Sequence, residues 1–220
     1  MAYEFIRSRP IQIDIDFRVF DPVCFEKLFG RPAIPAPGGG IDLHLHKFIL
    51  LCPPDSIFEV TADQIKKLLN LDPHPVEGGY FRRTFTSPDN LDLPRGTRPQ
   101  GTAIYYLLEA GSFSEMHMLD SDEIFHFYLG DPVAMLQLYP DGRSALFTLG
   151  PDLMGGQHVQ ILVPAGVWQG MRLIGKGEWA LFGCTVVPGF SFDDYHNASY
   201  EELAEKWPDQ AEWIRALTRS

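Results

Sequence analysis

The chain has 220 residues, 45% of them apolar and 21% charged, which suits one globular domain with an extension. Its net charge of −11 leaves it without the Lys and Arg clusters that a phosphate backbone requires, so nucleic acid is not an expected partner. Three widely spaced cysteines form no zinc ribbon or secreted disulfide framework, and no run reaches the ~18 apolar residues of a membrane helix.

Residues 1–58 alternate weakly in IQIDIDFRVF and IDLHLHKFILL, around the connector GRPAIPAPGGG. Alternation at period two predicts edge strands, hence an arm that adds strands to a barrel or to a neighbouring subunit. His44 and His46 have the spacing of paired metal ligands on one strand face, but no further His or carboxylate cluster accompanies them. The run Gly38–Gly40 lacks the Lys-Ser/Thr of a phosphate loop. Thr61 with Gln64 makes a capping box, and Ile65, Leu68 and Leu69 give the stripe of a short helix ending near Asn70.

Short β-rich runs then follow one another: GGYFRRTF, TAIYYLLEAG, SEMHML, EIFHFYLG, VAMLQLYP, SALFTLG, QILVPAG, GMRLIG and EWALFGCTVVPGF. Turn residues separate them, most plainly Tyr139-Pro140-Asp141-Gly142. Strands at this spacing with no helix between them predict an all-β antiparallel sandwich or jelly roll, and the twenty glycines and eighteen prolines fit it. Ser199 with Glu202 opens a helical tail that Pro208 breaks. The expected organisation is an arm over 1–58, a barrel over 59–196 and a helical tail over 197–220.

The densest pattern is GSFSEMHMLDSDEIFHFYLG, from Gly111 to Gly130. It fits G-x5-H-x-H-x3-E-x6-G at every spacing, with His117 and Glu123 in place and Leu119 where a second histidine would stand. Downstream, GQHVQILVPAGVWQGMRL fits G-x5-P-x-G-x2-H-x3-N in Pro164 and Gly166. There Gln169 replaces the histidine, Leu173 replaces the asparagine, and the leading glycine is shifted to Gly156. These two patterns resemble the paired signatures of the cupin superfamily. Runs such as PHPVEGGYFRRTF, TAIYYLL, SDEIFHFYLGDP, PAGVWQG and GCTVVPGFSFDD are similar to those of its small single-domain cupin_5 group, over roughly residues 60–195. The resemblance implies a cupin-type antiparallel jelly-roll barrel, with a strand-rich N-terminal arm and short flanking helices. It also implies that His117, Glu123 and Gln169 point into the barrel mouth.

Small barrels hold ligands at the mouth, so a small-molecule substrate is the expected partner. Histidine beside a carboxylate can move a proton from a carbon next to a carbonyl. His117 is then the candidate base or acid and Glu123 its partner, with Gln169 and a tyrosine polarising the carbonyl. Tyr80, Tyr106 and Tyr128 lie on predicted strands. His126 follows Glu123 by three residues, which strict alternation places on the opposite face; a bulge would return it to the pocket. Trp168 either stacks on a planar substrate or fills the rim. Arg82 and Arg83 are strand neighbours, so at most one faces inward, where it would fit a carboxylate or phosphate; Arg82 is the candidate. Cys184 is expected to be an inert core thiol.

Three functions remain open at this level. The first is proton-transfer chemistry (an isomerase, epimerase, lyase or cyclase) on a carbonyl-bearing compound, with no cofactor required. The second is a metal-dependent oxygenase or lyase with a weakly held divalent metal on His117, Glu123 and Gln169, since an amide is a poor substitute for imidazole. The third is a non-catalytic cupin that only binds a small ligand. A homodimer joined through the arm is expected, because barrels expose sheet edges that a second subunit can cover. The start MAYEFIRSRPIQID lacks the apolar core of a signal peptide, so a cytoplasmic location with free thiols is expected.

Overall fold

The structure is a computed structural model and describes residues 60–219. The arm over 1–58, with His44, His46, the glycine run and the proposed dimer contact, lies outside the described residues.

Helix α1 (Ala62–Leu69) opens with Thr61 as N-cap, its capping box completed by Gln64, and closes on Asn70 at φ 51°. Thirteen strands follow. In chain order they are β1 (Asp72–Pro73), β2 (Tyr80–Thr86), β3 (Asn90–Leu93), β4 (Gly96–Pro99), β5 (Thr102–Glu109), β6 (Phe113–Leu119) and β7 (Asp122–Gly130). They continue with β8 (Val133–Leu138), β9 (Ser144–Leu149), β10 (Gln160–Val163), β11 (Trp168–Leu173), β12 (Trp179–Val187) and β13 (Tyr195–Asn197). Helices α2 (Tyr200–Lys206) and α3 (Ala211–Ala216) finish the chain, with Pro208 opening a short 3-10 turn between them. Among the described residues no helix is long and apolar enough to cross a membrane.

Two antiparallel sheets face each other, in the orders β1-β2-β5-β12-β7-β10 and β13-β6-β11-β8-β9. This is the expected all-β jelly roll. Consecutive strands alternate between the sheets for much of the chain, because each short turn carries the chain across the core rather than to a neighbour. The core between them includes Tyr106, Phe125, Met135, Met171 and Phe182. The hairpin β3–β4 was not expected: its alternation is limited to Leu91 and Leu93, too short to read as a strand, and pairing of Asn90–Leu93 with Gly96–Pro99 makes it.

Strand β8 shows why some runs are buried at every position. Val133 and Met135 fill the core between the sheets, while Leu136 and Leu138 pack outward against Leu203, Trp207 and Ile214 of the tail. The tail therefore covers the outer face of the second sheet. Helix α1 does the same for the first sheet, with Ile65 packed against Leu107 and Leu181.

At one end of the barrel the β3–β4 hairpin is tied to the loop after β12. Buried Asp194 accepts from Arg98 Nε and Nη2, both at 2.8 Å, and from Arg95 Nε at 3.3 Å. Arg95 also donates to Ser121, which sits at the β6–β7 turn. The guanidinium groups hold the Asp194 carboxyl below the usual carboxylate range. This network fixes the loop carrying Phe190 and Phe192, two walls of the pocket described next.

Candidate functional site

A pocket of about 50 Å³ opens between the sheets, and its wall carries Glu77, Glu123 and Tyr106 among apolar side chains. Glu123 lies on β7 and faces inward with Phe125, as alternation requires. Tyr106 on β5 is 1% exposed and donates from its hydroxyl to the Gly78 carbonyl at 2.9 Å.

Behind Glu123 stand His117 on β6 and Gln169 on β11, both fully buried and opposite one another in the strand register. The Gln169 amide nitrogen bridges the group, donating to Glu123 Oε2 and lying 3.2 Å from His117 Nε2. His117 Nδ1 sits 2.7 Å from the Glu115 carbonyl, an acceptor only, so the imidazole proton belongs on Nδ1. Nε2 is thereby left with the lone pair that receives the Gln169 N–H. Tyr195 of β13 stacks on the His117 ring at 5.1 Å and an interplanar angle of 16°.

The loop 74–79 adds two groups that the sequence reading left without a role. His74 Nδ1 accepts from the Glu77 backbone N–H at 3.0 Å, and the His74 backbone N–H donates to the Gly79 carbonyl at 2.9 Å. Gly78 and Gly79 adopt φ of 94° and 69°. A side chain on Gly79 would strike the Leu107 carbonyl at 2.6 Å, so only glycine lets the loop lie this close to β5. The fold-back places Glu77 Oε1 3.7 Å from His74 Nε2 and 3.8 Å from His117 Nε2. The signal was in the sequence: His and Glu three residues apart in PHPVEGG, ahead of a double glycine.

Burial governs the protonation of this cluster, because it disfavours every charged form. It pushes the Glu77 carboxyl up to about 8. It pushes Glu123 up to about 7, with the Glu77 charge adding to the rise. The same burial lowers His117 below its usual value and takes His74 down to about 4. Near neutral pH the site therefore holds two neutral imidazoles and two carboxyl groups poised to gain or lose a proton.

The other candidates lie elsewhere. Tyr80 and Arg82 occupy the outward face of β2: Lys66 sits 4.4 Å over the Tyr80 ring, and Arg82 lies 5.5 Å from the Tyr105 ring. Arg83, not Arg82, lines the pocket, because β2 turns Phe81 and Arg83 inward. Tyr128 is 47% exposed and lies across Gly183 on the outer face, where a Cβ would meet its hydroxyl. His126 is on that same outer side, with Gln160 at 3.2 Å and Thr185 at 3.5 Å, so β7 keeps its alternation there. Trp168 packs with the tail helices on the outside of the second sheet, since its neighbour Gln169 takes the inward position. Cys184 is buried but borders the pocket, and burial raises its thiol well above the usual value.

The donor set does not fit a metal as arranged. Leu119 lines the pocket where a second imidazole would be needed, and the lone pairs of His117 Nε2 and Glu123 Oε2 both face the Gln169 amide N–H group. Among the described residues no cluster of three His, Cys, Asp or Glu side chains is placed to hold an ion. Elemental analysis of protein purified without added metal is expected to find well under one ion per chain, lost readily to chelator. A tightly held stoichiometric ion would overturn this reading of the donors.

Residues 63–198 match the sequence model of the Cupin_5 family, described as cupin superfamily (DUF985). Over 133 residues the chain is 32% identical to the uncharacterised protein YML079W of Saccharomyces cerevisiae, covering 54% of this chain and 66% of that protein. Among solved structures it is similar to protein SO0799 from Shewanella oneidensis, at 35% identity and a TM-score of 0.67. That likeness takes in 73% of this chain and 98% of the other. A hypothetical protein from Leishmania major gives 29% identity and a TM-score of 0.67, covering 73% of this chain and all of that one.

Proposed function

The chain belongs to the Cupin_5 family of the cupin superfamily, and on that premise we propose that it is a small-molecule enzyme of the acid–base kind. Its reaction moves a proton at a carbon next to a carbonyl, as in isomerisation, epimerisation, or a lyase or cyclisation step. One observation carries the reading: two carboxyl groups, raised to about 7 and about 8, share the wall of a pocket of about 50 Å³.

Proton transfer is fastest when the catalytic group titrates near the working pH. Glu123, the lower of the two, serves as the base that takes the proton from carbon. Glu77, the higher, stays protonated longer and serves as the acid that delivers a proton to the oxygen or to the opposite face. Gln169 steadies the Glu123 carboxylate with its N–H, and His117 steadies Gln169 by accepting from the same amide. His117 and Gln169 thus act through Glu123 rather than on the substrate. Tyr106, whose hydroxyl is committed to the Gly78 carbonyl, closes the pocket beside Glu77.

The test is mass spectrometry of small molecules retained through gentle purification. The expected ligand bears a carbonyl with a removable proton on the adjacent carbon. Retention of a compound lacking any such proton would count against the reaction class.

A further inference from the structure

The pocket has an asymmetry that proton transfer alone does not require. Its inner wall carries the two acids, and its mouth carries Arg83, the one Lys or Arg on the wall among the described residues. Arg83 pairs with Ile104 in the β2–β5 register, and both face the pocket. A bulge immediately follows, between Arg83 and Phe85, before pairing resumes at Phe85 and Ala103. The guanidinium lies 5.6 Å from the Phe190 ring. It makes no hydrogen bond or ion pair among the described residues, in a chain whose net charge is −11 and where carboxylates are plentiful. Arg83 is exposed, as a group at the mouth must be.

A second donor stands beside it. Thr102 is the next inward residue along β5, two positions before Ile104, and lines the same pocket as Arg83. It is 1% exposed, and its hydroxyl oxygen accepts from the Phe190 N–H at 3.0 Å. That leaves the hydroxyl hydrogen to donate into the pocket. On this sheet face Thr102 and Glu123 flank Val186 on one rung, and the next rung carries Phe125, Cys184, Ile104 and Arg83.

We propose that Arg83 and the Thr102 hydroxyl bind the carboxylate of a small carboxylic-acid substrate, whose reacting carbon then lies against Glu77 and Glu123. This rests on the acid–base reading of the same pocket and adds the substrate class. A planar carboxylate matches the guanidinium fork, and the short pocket suits a molecule of few atoms with its charged end at the mouth.

The test uses the full chain with 2-oxobutanoate, its methyl ester and inorganic phosphate as probes, titrated by calorimetry. Wild-type protein is expected to bind the acid at least tenfold more tightly than the ester. Arg83→Gln should erase that preference while leaving ester binding and the melting temperature unchanged. Equal affinities, no binding of the acid, binding of phosphate in its place, or a preference that survives Arg83→Gln would each overturn the proposal. Proton exchange at C3 of 2-oxobutanoate in D₂O, followed by NMR, separates the two readings. A preference without exchange leaves the carboxylate site standing and removes the acid–base reaction; exchange without a preference does the reverse.

Discussion

Glu123→Gln is expected to lower turnover of the authentic substrate by about 10²–10⁴-fold, the usual worth of a positioned general base, in a barrel that stays folded. The amide keeps the shape and still offers an oxygen to the Gln169 N–H, so the loss isolates the charge. The pH dependence gives a sharper reading. Activity requires Glu123 ionised, so it should rise as pH increases through about 7. It also requires Glu77 protonated, so it should fall as pH passes about 8. The result is a narrow bell whose two limbs belong jointly to the interacting pair. Glu77→Gln should remove the upper limb as well as slow the reaction. His117→Ala should reduce the rate less than Glu123→Gln does, because His117 acts only by holding Gln169 in place. A full rate in Glu123→Gln would move the base elsewhere on the pocket wall.

The same carboxyl groups should set how stability varies with pH. In the unfolded chain each glutamate titrates near its ordinary value of 4.5, whereas in the folded protein they titrate near 7 and 8. Between those limits the folded state binds more protons than the unfolded state. The neutral, buried form therefore contributes stability that is fully present below about 4.5 and is lost as pH rises through about 7 and then 8. Each group can steepen the decline by at most about 1.4 kcal/mol per pH unit. Asp194 works in the opposite sense: its carboxyl is held low, so its contribution is lost only as pH falls toward and below the ordinary aspartate range. Buried His74 and His117 oppose this below about 6.5, where the unfolded chain takes up protons that they refuse, so urea denaturation at a series of pH values should show wild type weakening chiefly from about 6.5 into mildly alkaline conditions. Glu77→Gln and Glu123→Gln should each flatten that slope and be the more stable proteins at the alkaline end. Parallel slopes in all three proteins would mean that neither carboxyl is held protonated in the fold.

The barrel was legible in the order of residues along the chain. Spaced turns and short alternating runs required antiparallel strands, because no helix lay between them to carry a parallel crossover. Local rules decided the helix ends too: Thr61 with Gln64 and Ser199 with Glu202 form the capping boxes that their spacing predicts. The alternation of β7 set Glu123 and His126 on opposite faces and the resemblance implied that Glu123 is the inward one, but whether a bulge returns His126 to the pocket was left to the tertiary structure. Other placements depended on it. Tyr80, Arg82, Tyr128 and Trp168 lie on strands covered from both sides or by polar neighbours, where residue type does not report which face is inside. Arg83 rather than Arg82 reaches the pocket because pairing with β5 fixes the register, and nothing within the RR pair itself distinguishes them. Glu77 and His74 join His117 only because Gly78 and Gly79 fold a loop across the barrel from some forty residues away in the chain. Their raised and lowered proton affinities come from burial, a property of the packed barrel that the order of residues along the chain does not contain.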